Sequence, residues 1–373
     1  MLAWRDIEDV EAGGSEIHAA NVARLWAEAG LDVTMRASHA QGQPPTVDRD
    51  GYHVIRRAGR YLVFPRAVGS ELAGRHGERD ALVEIWNGMP FFSPLWATGP
   101  RAVWLHHVHA EMWRMVLPPN LARIGDTIES RIAPLIYRRS QLVTLSDSSR
   151  DELIDHLGFR ADRVSVVPPG IHPRFVPGPE GSRSPTPLVV AAGRFMPVKR
   201  FDRLIREVAA VREHIADVQL VIIGSGFERV ALTQLVDDLD ATSWVTFAGQ
   251  VDDDTLVELY QRAWVVASTS AREGWGMTIT EAAACGTPAV ATDISGHRDA
   301  LDHGVTGLLG SADGTIRGEL EKVLGDDELR AKLAANARNR AERFTWEATA
   351  VGTLDALIVD AQRRHRRTSS PRA

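Results

Sequence analysis

Short apolar runs alternate with amphipathic stretches along most of the chain. In the second half Leu188 to Ala192, Val218 to Ile223, Val245 to Val251, Ala263 to Ser268 and Ala289 to Thr292 have the length and β-branching of buried strands. In the first half Leu31 to Met35, Leu82 to Gly88, Ala102 to His107 and Gln141 to Ser146 read the same way. Several of these runs end in polar residues, as the ligand-facing carboxyl ends of parallel strands do. Between the runs, Ile17, Ala20, Val22, Ala23, Leu25 and Trp26 recur at helical spacing and stop at Gly30, while Ser146-Asp147-Ser148-Ser149 predicts a cap for a helix over 150–157. Helices are also expected over 315–324 and 327–343 and from Phe344 onward, with a hairpin-like element over 304–309. Strands alternating with helices predict an α/β chain of doubly wound parallel sheets.

Val166 to Pro187 carries seven prolines with glycines and serines between them, which forbids both helix and central strand. At 373 residues two domains are the default expectation. The division is therefore 1–165, a linker over 166–187, and 188–345, followed by 346–373 as a last helix and a basic tail. The run from Arg363 to Ser370 predicts a disordered, solvated tail, with contact to an anionic membrane surface as the second reading.

Composition removes several classes of function. With 44% hydrophobic and 25% charged residues the chain reads as soluble and globular, and no apolar run approaches the ~18 residues of a membrane span. No signal-peptide pattern opens the sequence. The single cysteine, Cys285, excludes intrachain disulfides, suits a reducing cytoplasm, and sits among alanines where packing explains it better than chemistry. A net charge of −6 gives nucleic-acid binding no support.

The chemistry concentrates after the run ending at Ser268. A loop with glycines at 274 and 276 opens a helix over 278–285, and a helix start entered through glycine offers free amides and a positive dipole end to a phosphate. Glu273 before that helix and Glu281 inside it would repel phosphate but accept hydrogen bonds from hydroxyls, or they are simply a loop charge and a solvated helical charge. Arg194 and Lys199 emerge together after Leu188 to Ala192, where a guanidinium and an ammonium can clamp a diphosphate. Lys199 is one of three lysines among 43 basic residues, which argues for a compact point charge at that position. A diphosphate flanked by hydroxyl-rich groups describes a nucleotide-sugar.

Gly13 and Gly14 make a second glycine loop at a helix start, a weak signal by itself because such loops also serve as plain turns. His106, His107 and His109 cluster after a strand without the Cys or carboxylate partners a metal would want, and no metal is expected. Gly224-Ser225-Gly226 lacks the third glycine of a dinucleotide fingerprint, so hydride chemistry gains little.

Glu273 with seven residues before Glu281, the Gly-Thr-Pro-Ala-Val turn after it, and the order of the other segments resemble the retaining glycosyltransferases of family 4, of the GT-B fold. The resemblance implies two Rossmann-like doubly wound domains with an interdomain cleft and a last helix that crosses back to the first domain. It implies that Glu273 holds the donor sugar, that Glu281 holds the ribose, and that Arg194, Lys199 and the amides around Gly276, Met277 and Thr278 hold the diphosphate. Gly13 and Gly14 would lie against that diphosphate, with Ser15 and Glu16 near the acceptor, and His109, or else His106, would approach the reaction centre. Trp113 and Met115 are read as an acceptor wall or as core, and the acids at 252–254 as helix caps beside a base held through backbone atoms.

The expected activity is metal-independent, cofactor-free retaining transfer of a hexose-type sugar from a UDP- or GDP-linked donor to a hydroxyl acceptor, whether small molecule, glycan or lipid-linked. The acceptor would be read by loops over 37–61 and 112–125. The expected place is the cytoplasm, with peripheral contact at the inner membrane face. The alternative is a nucleotide-sugar-binding partner subunit without catalysis. The chain departs from the family in one respect, since only Met1 to Trp4 are available for the first strand.

Overall fold

The computed structural model describes residues 1–75, 77–311 and 313–369. They form two compact units, unit 1 comprising Met1–Gly170 and the chain from Trp346 onward, and unit 2 comprising Ile171–Thr345.

Unit 1 holds strands β1 (Thr34–Ala37), β2 (Thr46–Arg49), β3 (Tyr52–Arg56), β4 (Leu82–Ile85), β5 (Arg101–Trp104), β6 (Gln141–Thr144) and β7 (Val164–Val166). β3 pairs parallel with β1 and antiparallel with β2, and β4 to β7 form a second parallel ladder. The short N-terminal run joins the two ladders. The Leu2 amide donates to Val83 and its carbonyl accepts from Ile85, both at 2.8 Å, while Ala3 and Met1 exchange bonds of 2.9 Å with Arg36. Counting this stub as a strand, the spatial order is β2-β3-β1-stub-β4-β5-β6-β7. Every residue of β4, β5 and β6 is buried, so these runs show no alternation because both faces of the sheet are covered.

Unit 2 holds β8 (Leu188–Ala192), β9 (Gln219–Ile223), β10 (Val245–Gly249), β11 (Val265–Ser268), β12 (Ala289–Ala291) and β13 (Gly307–Leu309). They form one all-parallel sheet in the order β10-β9-β8-β11-β12-β13. Numbered within the unit this is 3-2-1-4-5-6, whose order reverses between β8 and β11, and ligands of such sheets bind at the carboxyl ends on either side of that reversal. The core is built from Val189, Leu204, Val208, Leu220, Ile222, Val265 and Leu320 and their neighbours.

Four sequence expectations change. The stretch 304–309 is not hairpin-like, because β13 adds parallel to β12. The region 37–61 is not a loop, since β2 and β3 form a hairpin there, and 112–125 is mostly helical, with helices Met112–Val116 and Pro119–Thr127. The tail is helical as far as Ser369 instead of disordered, and Ser370 lies outside the described residues. Buried Trp346, Ala350, Ala356 and Leu357 anchor that helix in unit 1, and the Arg363 guanidinium donates to Gln141 Oε1 at 2.6 Å and to the Asp162 carbonyl at 2.5 Å. The proline-rich segment beyond Ile171 packs onto unit 2: Phe175 lies against Tyr260 and the Val176 carbonyl accepts from Gln261 at 2.8 Å.

Candidate functional site

In unit 2 the loops leaving β8 and β11 are stitched together by their backbones. The Ala271 amide donates to the Val198 carbonyl and the Thr269 hydroxyl to the Arg200 carbonyl, each at 2.8 Å. This brings the ammonium of Lys199 onto the carboxylate of Glu273, 74 residues further along the chain. The Ser270 hydroxyl donates to the same carboxylate oxygen at 2.8 Å. Burial alone would raise the Glu273 carboxyl, but the charge of Lys199, aided by His297 and these hydrogen bonds, holds it down at about 2. Arg194 is half-buried in the loop leaving β8, at the carboxyl end of that strand.

Helix Met277–Ala284 begins at Gly276, whose φ of +111° favours glycine, and no side chain caps it. The amides of its first turn therefore have no partner from a cap. Met277 and Thr278 are half-buried at this start. One turn further, Glu281 receives the Tyr260 hydroxyl at 3.4 Å. Burial pushes the Glu281 carboxyl up to about 7, against the Tyr260 hydrogen bond and the charge of Arg174. Two acids on one loop and helix thus differ greatly in acidity, because only Glu273 has a cation in contact.

Sequence reasoning missed two supports of this loop. Buried His297 lies with Nδ1 2.8 Å from the Thr292 carbonyl and Nε2 3.1 Å from the Ser268 hydroxyl. A carbonyl only accepts, so Nδ1 carries the proton and Nε2 receives the hydroxyl. Gly296 lets this segment approach, since a Cβ there would fall 2.5 Å from the Glu273 carbonyl oxygen and 2.7 Å from the Trp275 amide nitrogen. A Gly-His pair beyond a strand has no motif to announce it.

In unit 1, Gly13 and Gly14 open helix Gly14–Glu28 at the carboxyl end of the stub. Glu16 is buried, accepts from the Gly13 amide at 2.9 Å and pairs with Arg5 at 3.2 Å, so its carboxylate caps its own helix. Ser15 accepts from the Asn87 amide at 2.9 Å, which ties the glycine loop to the end of β4. His109 packs beside Gly88 and Trp113, with Nδ1 3.6 Å from the buried Glu129 carboxylate, which also accepts the amides of His109 and Ala110 and the Trp113 indole at 2.9 to 3.0 Å. Trp113 is therefore core, whereas Met115 is 38% exposed. His106 faces inward, 2.8 Å from buried His18, and burial with the charge of His107 lowers it to about 3. Among the described residues no group of three His, Cys, Asp or Glu is arranged to hold a metal ion. A separate cavity of about 510 Å³ opens beside the ends of β1 and β3, lined by His39, Arg56, Arg57 and Arg66.

The family model described as "Glycosyltransferase Family 4" matches residues 12–175, and that described as "Glycosyl transferases group 1" matches 176–340. A D-inositol 3-phosphate glycosyltransferase of Stackebrandtia nassauensis is 34% identical, covering 95% of this chain and 88% of its own. Its namesake in Jonesia denitrificans is 28% identical, covering 92% and 90%. Among solved structures, sucrose-phosphate synthase of Thermosynechococcus elongatus superposes with a TM-score of 0.81 at 20% identity over 99% and 98% of the two chains. Anabaena HepE, crystallised with UDP-glucose, gives 0.74 at 20% over 96% and 98%.

Proposed function

Since the chain belongs to the family 4 glycosyltransferases and has the GT-B fold, we propose that it moves a hexose-type sugar from a UDP- or GDP-linked donor to a hydroxyl acceptor, with retention and without a metal. The observation that carries this reading is the contact of Lys199 with Glu273 at the reversal point of the unit 2 sheet, beside a helix start without a cap. Cleavage of the sugar–phosphate bond leaves negative charge on the departing diphosphate. Lys199, Arg194 and the amides around Gly276, Met277 and Thr278 would stabilise that charge, which is the work a metal would otherwise do. Glu273, kept ionised by Lys199, would accept hydrogen bonds from the sugar hydroxyls, and Glu281 from the ribose. No carboxylate stands out as a covalent nucleophile, so the departing phosphate would take the acceptor's proton on the face it leaves. His109, held against Glu129 in unit 1, is assigned to orienting the reacting groups.

Several relatives are named for an inositol 3-phosphate acceptor, so a phosphorylated polyol is the first acceptor to try. Its anionic group would suit the unit 1 cavity, where Arg56 is bound to Asp6 but Arg57 and Arg66 have no carboxylate partner among the described residues.

Lys199→Ala and Glu273→Ala are each expected to lower transfer at least roughly tenfold while the fold persists, measured as product formed from UDP- and GDP-sugars with and without chelator. Near-native rates in either variant, or loss of activity in chelator, would overturn the reading. Donor binding with neither transfer nor donor hydrolysis would instead identify a binding subunit.

A further inference from the structure

Helices Met112–Val116 and Pro119–Thr127, the π-helical turn Ile128–Ile132 and helix Ala133–Tyr137 follow one another in unit 1. Their inner side is settled: Ala122, Gly125, Glu129, Ala133 and Tyr137 are buried, and Trp113 packs directly on Gly125. A second apolar row runs along the same elements at Leu117, Leu121, Ile124, Ile128, Ile132 and Leu135, spaced by three and four residues throughout. Of these, Leu121 is 53% exposed, Ile124 54%, Ile132 43% and Leu135 70%. The fold accounts for the first row only, and a helix that is apolar on two sides needs cover for both.

The charges around the outer row identify the cover. Arg114, Arg123 and Arg131 on these elements, and Arg138 and Arg139 directly after them, are exposed, and none has a carboxylate partner among the described residues. Glu129 points inward to His109, Ala110 and Trp113, which leaves half-buried Asp126 as the one acid set against five arginines over residues 112–139. A chain whose net charge is −6 thus concentrates positive charge around one exposed apolar row. A second copy meeting it across a two-fold axis would bring arginines against arginines. No helix among the described residues is long and apolar enough to cross a membrane, and Arg363, from the basic run whose second reading was contact with lipid, is bound within unit 1.

We infer that the face formed by residues 112–139 docks on an anionic lipid bilayer, with Leu121, Ile124, Ile132 and Leu135 entering the headgroup boundary and the five arginines lying over the lipid phosphates. This inference is independent of which sugar is moved.

The test is co-sedimentation of the whole chain with phosphatidylcholine vesicles with and without phosphatidylglycerol. Binding is expected to be roughly tenfold or more stronger with the anionic lipid and to weaken as salt rises. Leu121→Asp with Ile124→Asp, and separately Arg131→Glu with Arg139→Glu, should each lower it about tenfold with an unchanged melting temperature, because these side chains are exposed. Val230→Asp, at an exposed apolar position of unit 2, should leave it unchanged. Equal binding to neutral and anionic vesicles, native-like binding by either double variant, or a dimer in gel filtration that Leu121→Asp with Ile124→Asp dissolves would each overturn the inference. The last result would assign the face to a second copy.

Discussion

At the scale of single residues, Glu273 and Glu281 titrate in opposite directions, and this makes their proposed roles separable. Glu273 is held at about 2 against an ordinary value of 4.5, so its contribution to stability is present above pH 4.5 and is lost as pH falls through that window. Glu281 is raised to about 7 from 4.5, so between these values the folded chain holds a proton the unfolded chain lacks, and stability falls as pH rises. Relative to the native chain, Glu281→Gln is therefore expected to be more stable at about pH 8 than at about pH 5, measured by urea denaturation at each pH. If the ionised acid receives ribose hydroxyls, nucleotide affinity should weaken by up to about tenfold per unit as pH drops below 7, and Glu281→Gln should flatten that dependence. Titration calorimetry across the range would show it, and a parallel profile in the variant would separate Glu281 from the nucleotide. Both acids could be named from their spacing, but their acidities could not, because these follow from which residues lie against them.

At the scale of elements, the site rests on loops held by neighbours distant in sequence. Gly296 is the sharpest case, since any Cβ there meets the backbone of Glu273 and Trp275. Gly296→Ala should displace that loop, cost about 1–3 kcal/mol of stability as an overpacked position, and raise the donor KM, while Gly318→Ala, where a Cβ meets nothing within 4 Å, should do neither. Kinetics with thermal melts on the two variants would decide it, and an unaltered KM in Gly296→Ala would remove that glycine from the site. The Ser146 cap, in contrast, was legible from local chemistry: its hydroxyl accepts from the Ser149 amide at 3.1 Å, and Ser146→Ala should cost about 1 kcal/mol in a urea melt. The acid at 252 caps its helix in the same way, through the Thr255 amide at 2.8 Å. The hairpin of β2 and β3 does carry a local signal, since Asp50-Gly51 turns with φ of +48° and +82°, the left-handed pair a two-residue hairpin loop favours, whereas the helical tail is not decided by local pattern and needs Gln141 and Asp162.

At the scale of the whole molecule, each unit repeats one plan, a doubly wound sheet with glycine-entered helices at the carboxyl ends of its strands. A donor that binds only the folded chain should raise its melting temperature with concentration, by about 2.7 kcal/mol of stability at a hundred times its Kd. Screening UDP- and GDP-linked sugars this way would identify the base and sugar together, and Lys199→Ala should abolish the shift for the donor that gives it. What the sequence determined by itself was the alternation of strands and helices, the family, and the residue types available at each strand end, because buried parallel strands and helix starts carry their signatures in a few adjacent residues. The tertiary structure alone decided that Lys199 lies on Glu273, that Gly296 and His297 brace the loop between them, that Glu16 is a cap, and which apolar row on residues 112–139 is left outside. Those outcomes depend on contacts between segments tens of residues apart, and the energy of such a contact is not a property of either segment taken alone.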